Sequence, residues 1–184
     1  MNTSKKIRTV AALGLFSSVA WAGTFATFTD SATSASTFSS GTVDLELADE
    51  ADDAYDFATL STANMKPGDV TFATLKVENA GTLPYTYTMT SGESEATLSA
   101  SLQLGAVIGA VTCNSAGYTT AALTPTNILI ANGNLAAAAI ASRGLASLAF
   151  ETLCVRVELP SGTGDALQGL TTTSTFTFAA TQIP

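Results

Sequence analysis

The sequence predicts an all-β protein: an antiparallel sandwich of jelly-roll or Greek-key type, with one or two short helices in its connections. Three observations carry this. Seven or eight short stretches either alternate apolar and polar residues or concentrate β-branched and aromatic ones. Turn signals built from proline, glycine and asparagine separate those stretches. No internal repeat or linker divides the chain beyond its amino terminus, and 184 residues suit a single domain.

Residues 41–47 (GTVDLEL) alternate cleanly, with Val43, Leu45 and Leu47 on one face, and read as a half-buried strand. Residues 48–57 (ADEADDAYDF) read as an acidic loop running into a short helix through Tyr55, Phe57 and Leu60. Met65-Lys66-Pro67-Gly68-Asp69 is a type II turn signal, with proline presetting φ and glycine taking the positive φ that follows. Residues 70–78 form the next strand, and their imperfect alternation suggests a bulge. Asn79-Ala80-Gly81 turns the chain, and residues 85–89 make a strand with Tyr85, Tyr87 and Met89 on one face.

Residues 98–104 (LSASLQL) alternate as a strand, and residues 105–112 read as a buried one. Residues 127–131 are a short apolar strand or connector. Residues 134–142 (NLAAAAIAS) are the best helix candidate, with Asn134 as N-cap and Gly144 past the end. Residues 150–159 (FETLCVRVEL) give the strongest strand signal, with Leu153, Val155, Val157 and Leu159 on one face and Pro160 as terminator. Residues 171–181 close the chain as a strand with Phe176, Phe178 and Ala180 on one face.

Charge is unevenly spread. Lys5, Lys6 and Arg8 stand in the first eight positions, and no acid precedes Asp30. An uncharged, mostly apolar run follows over residues 9–22, too short to cross a bilayer comfortably. Basic start, apolar run and small residues describe an export signal over residues 1–27. Cleavage before Gly23, after Ala20-Trp21-Ala22, and cleavage before Phe28 are both readable; an uncleaved anchor is the alternative. Residues 28–184 keep four bases against all 15 acids, a net charge of −11. Such a body repels nucleic acid and anionic lipid, so contact with the membrane is expected only during export.

Residues 28–38 (FTDSATSASTF) hold too few apolar side chains to fold alone. They would be ordered by adding a strand to a sheet edge, with Phe28 and Phe38 as anchors. An unstructured tail, or the domain's own first strand, are the alternatives. Cys113 and Cys154 in an exported protein read as one disulfide, the alternative being two buried thiols. Seven acids lie from Asp44 to Asp56, and Asp49, Glu50, Asp52 and Asp53 among them are candidate calcium ligands. The spacing does not match an EF-hand, and a solvated acidic face is the plainer reading. Otherwise no cofactor is expected.

Three stretches together resemble the TasA/camelysin family, secreted proteins of biofilm matrices. The first joins Gly23-Thr24-Phe25-Ala26-Thr27-Phe28-Thr29-Asp30 to the Phe38-Ser39-Ser40-Gly41-Thr42-Val43-Asp44-Leu45 strand. The second runs from Met65-Lys66-Pro67-Gly68-Asp69 to Asn79-Ala80-Gly81-Thr82-Leu83-Pro84. The third is Glu151-Thr152-Leu153-Cys154-Val155-Arg156-Val157 with the closing Thr-Phe-Thr-Phe strand. The resemblance implies a jelly roll and removal of the export segment by a SipW-type signal peptidase, leaving Phe28, Thr29 and Asp30 at the new terminus. It also implies matrix fibres in which that freed segment lies in the sheet of the next subunit. The alternative function is a monomeric extracellular binding module, for calcium or a surface polymer.

Camelysin is classed as a metalloprotease, but the zinc-binding His-Glu-x-x-His pattern needs two imidazoles, and this chain has no histidine. The same lack removes histidine-activated serine and cysteine nucleophiles. No pair among the 15 acids is marked out for glycoside cleavage, and a serine–lysine dyad would have to use Lys66 or Lys76 without a supporting motif. The sequence therefore reads as non-enzymatic.

Overall fold

Alternation largely decides which segments become strands and which way they face. In the computed structural model, which describes residues 39–48 and 55–184, the strongest alternating run becomes β7 (Phe150–Glu158). Leu153, Val155 and Val157 are buried on its inner face. It lies between β2 (Val70–Asn79) and β4 (Gln103–Ile108). With β1 (Leu45–Leu47) and β5 (Ile128–Asn134) at the edges, these make a five-stranded sheet in the order β1-β2-β7-β4-β5. The facing sheet has β3 (Tyr85–Glu93) between β6 (Ala139–Leu145) and β8 (Ser174–Gln182).

Among the described residues all pairings are antiparallel, and five of the seven strand-to-strand connections cross between the sheets. The fold is the all-β sandwich that the sequence predicts. Leu75, Val77, Tyr85, Tyr87, Met89 and Leu153 form the middle of its core. Ser40–Pro184 is one compact unit.

Several local expectations are corrected. Residues 134–142 are not a helix. Asn134 does cap, accepting from Ala136 N–H, but only for the 3-10 turn Leu135–Ala137, after which the chain enters β6 and buries Ile140 against β3. Alanine propensity over nine residues does not offset the cost of nucleating a helix against a ready-made sheet edge. Conversely, the run at 98–104 is mostly helical: α1 (Ala96–Ser101) precedes β4. Leu98 and Leu102 fit an i, i+4 helical pair as well as an alternating strand, and Glu95 decides the matter by accepting from Thr97 and Leu98 N–H. The buried strand expected over 105–112 stops at Ile108.

A second helix, α2 (Ser115–Ala122), was not expected from the sequence. Asn114 is its N-cap, and a Cβ on Gly117 would lie 1.9 Å from the Thr112 carbonyl oxygen. The bulge expected in β2 is also absent: β2 and β7 stay in register over nine pairs. Its alternation is imperfect because its outer face is covered too, with Phe72 against Tyr118 of α2 at 5.9 Å between rings. The register breaks fall instead between β3 and β6 and between β4 and β5.

The sandwich has two distinct ends. At one, Asn79 is fully buried and donates to the carbonyls of Leu83 and Ala146 at 2.9 and 3.1 Å, while Ala80 and Leu83 N–H bond to Asp44 and Thr42 oxygens. Three chain segments thus meet: the entry strand, the β2–β3 turn and the β6–β7 turn. At the other end lie Met65, the type II turn with Gly68 at φ 94° and the Lys66 carbonyl accepting from Asp69, α1, and the approach to β8.

Candidate assembly groove

One side of the sandwich is closed, because β5 runs directly through Leu135–Ala137 into β6. The other side is not. There β1 edges one sheet and β8 edges the other, and among the described residues no strand pairs with the outer edge of either. β1 is short for a local reason. The segment before it is tied to the β2–β3 turn, and Ala48, at φ 55°, bends the chain away after three paired residues.

The result is a groove of about 430 Å³ between the two edges, floored by Leu45, Leu47, Phe176, Phe178 and Ala180. Along β8 the inward side chains, Phe176, Phe178 and Ala180, are only partly buried, while Thr177 and Ala179 between them face solvent. Pattern and burial disagree here: the strand has the alternation of a core strand without the cover. A recess of about 240 Å³, lined in part by Phe57, Leu60, Met65 and Phe176, continues the groove towards the Met65 end. Apolar walls and two free backbone edges can hold an extended chain, which would satisfy both.

Of the residues singled out from the sequence, Phe28, Thr29, Asp30 and Phe38, the export segment, and Asp49, Glu50, Asp52 and Asp53 lie outside the described residues. Cys113 and Cys154 form a disulfide, with sulfurs 2.05 Å apart, on the outer face of the five-stranded sheet and away from the groove. No described helix is long and apolar enough to cross a membrane. The groove's floor was legible only in part. The last strand's Phe-x-Phe face is visible in the sequence, but its position beside β1 is not.

The camelysin metallo-endopeptidase family model matches residues 3–101, more than half of the chain. The protein belongs to the camelysin family. That places it in an extracellular family, the one its sequence resembles. No curated protein matches the chain.

Among the described residues, no donor set fits the metal in the camelysin description. There is no histidine in the sequence, and no three acidic or cysteine side chains converge among the described residues. Several of the described carboxylates are engaged elsewhere. Glu151 holds Arg143 and Tyr87, Glu158 holds Arg156, and Glu78 holds Lys76. Glu95 caps α1, and the two backbone N–H groups it accepts keep its carboxyl below its usual value. Lys76, one of the two lysines open to a dyad, also lies 4.6 Å from the Phe150 ring centre.

Proposed function

We propose that this camelysin-family protein is a secreted structural subunit of an extracellular matrix or surface fibre. It polymerises when residues 28–38 of one copy occupy the groove of the next. The observation that carries this is the open side of the sandwich, where no described strand covers Phe176, Phe178 and Ala180. At about 3.3 Å per residue, eleven extended residues are long enough to run the nine-residue length of β8. Their even positions put Asp30, Ala32, Ser34 and Ser36 between Phe28 and Phe38, and the three small residues suit a floor already filled by phenylalanines. Backbone pairing supplies affinity, and the two terminal rings supply apolar anchors. Removal of the export segment frees Phe28 for this role.

The deciding experiment compares the mature chain with a variant lacking residues 28–38, by sedimentation and negative-stain microscopy. The parent is expected to form filaments and the deletion a folded monomer. Filaments from the deletion would overturn the reading.

We also propose that the protein works without peptide hydrolysis, supported by the lack of any histidine in the sequence and of any converging acidic or cysteine triad among the described residues. Zinc-dependent cleavage of casein by the purified mature chain would overturn this.

A further inference from the structure

Strand donation leaves open how successive copies face one another, and the end tied together by Asn79 bears on it. The following rests on the donor reading above. Only Ser39 and Ser40 separate the Phe38 anchor from Gly41. Gly41 is already packed in place, since a Cβ there would meet Leu83 within 2.5 Å. Three Cα steps span at most about 11 Å. The receiving groove must therefore open directly against the donor's Asn79 end.

Two arrangements meet that limit. If the segment enters the next copy's groove at the Asn79 end, two like ends face each other. Each copy then fills the other's groove, and the assembly closes as a dimer. If it enters at the Met65 end, Phe38 seats first, near Leu60, Met65 and Phe176. The segment then runs antiparallel to β8, because β8 runs from the Met65 end to the Asn79 end, where Gln182 pairs with Tyr85. Only this second arrangement propagates, and it adds an antiparallel pairing like the others in the fold.

Head-to-tail stacking of this kind presses the Asn79 end of one copy onto the Met65 end of the next. The Asn79 end carries a feature its own fold does not use. Leu148, in the β6–β7 turn just past the Ala146 carbonyl that Asn79 holds, is 74% exposed and sits at φ 56°. That conformation suits glycine or asparagine, and a large apolar side chain there is both strained and unburied. Val43, on the entry strand at the same end, is also exposed. We infer that the Leu148 turn is a docking surface for a second copy of this chain, seated against the Met65 end of the next subunit in a polar, head-to-tail fibre.

The test is Leu148→Asn in the full mature chain. Asparagine accepts the positive φ, so the fold itself loses nothing, and the melting temperature should hold or rise. The critical concentration for filaments should rise about tenfold, as for the loss of one well-buried apolar contact. Excess synthetic peptide of residues 28–38 should shorten filaments of parent and variant alike, since the groove is untouched. An unchanged critical concentration overturns the inference, and so does a lowered melting temperature, which would make Leu148 a part of the fold. If the peptide leaves parent filaments unaffected, the donor reading itself fails and this inference falls with it.

Discussion

The hydroxyl of Tyr87 on β3 donates to Glu151 Oε1 on β7 at 2.5 Å, joining the two sheets. Arg143 on β6 grips the same carboxylate, with Nε at 2.6 Å from both oxygens. Tyr85 makes a second link of this kind, donating to the Glu78 carbonyl on β2 at 2.8 Å. Both tyrosine side chains are fully buried, so each hydroxyl needs its partner. Tyr87→Phe should cost about 1.5–3 kcal/mol, the range for a hydrogen bond to a charged group. Urea unfolding of the variant would measure it. Glu151→Ala should cost more, because it strands both Tyr87 and Arg143.

The same tyrosines set an upper pH limit. Burial, and after it the nearby Asp44, Glu151 and Glu78 charges, pushes the Tyr85 phenol from 10.0 up to about 12. Burial and the bond to Glu151 push Tyr87 further up. A raised folded pKa favours the fold while the phenol is neutral. This stabilisation is therefore full below pH 10 and lost as pH climbs towards 12. Denaturant midpoints should fall across that window, and Tyr85→Phe should flatten the slope.

The disulfide spans a sequence separation of 41 residues and ties the loop that carries α2 to the outer face of β7. In the chain-entropy model a loop of that length is worth roughly 4 kcal/mol. Reduction should lower the melting temperature by an amount that calorimetry resolves easily. It should leave filament formation intact at low temperature, because neither cysteine lines the groove.

Ala180 is the small residue on the groove floor beside Phe178. Ala180→Arg should fold normally, since the side chain can reach solvent through the open side. It should abolish filaments by filling the space a donated strand needs. Circular dichroism and sedimentation of the same sample would separate the two effects.

The local corrections share a physical cause. Leu98 and Leu102 fit both a helical and an alternating period, and a single carboxylate, Glu95, tips the balance. The alanines after Asn134 favour a helix by tenths of a kilocalorie each, which the sheet edge at β3 outweighs. In α2 the small residues of SAGYTTAA carry almost no amphipathic signal, and only Asn114 and Gly117 hint at a helix. Phe72 looks out of phase in β2 until α2 is seen to cover it.

By itself, the sequence determined the fold class, the faces of β3, β7 and β8, the type II turn at Gly68 and membership of the camelysin family. These follow from period-two alternation and local turn chemistry, which act over a few residues. Only the tertiary structure decided that β1 and β8, 129 positions apart from Leu45 to Ser174, become facing edges with a groove between them. Alternation states which face of a strand is apolar. It does not state what lies opposite, because that depends on strand order, and strand order is set by packing the whole core at once.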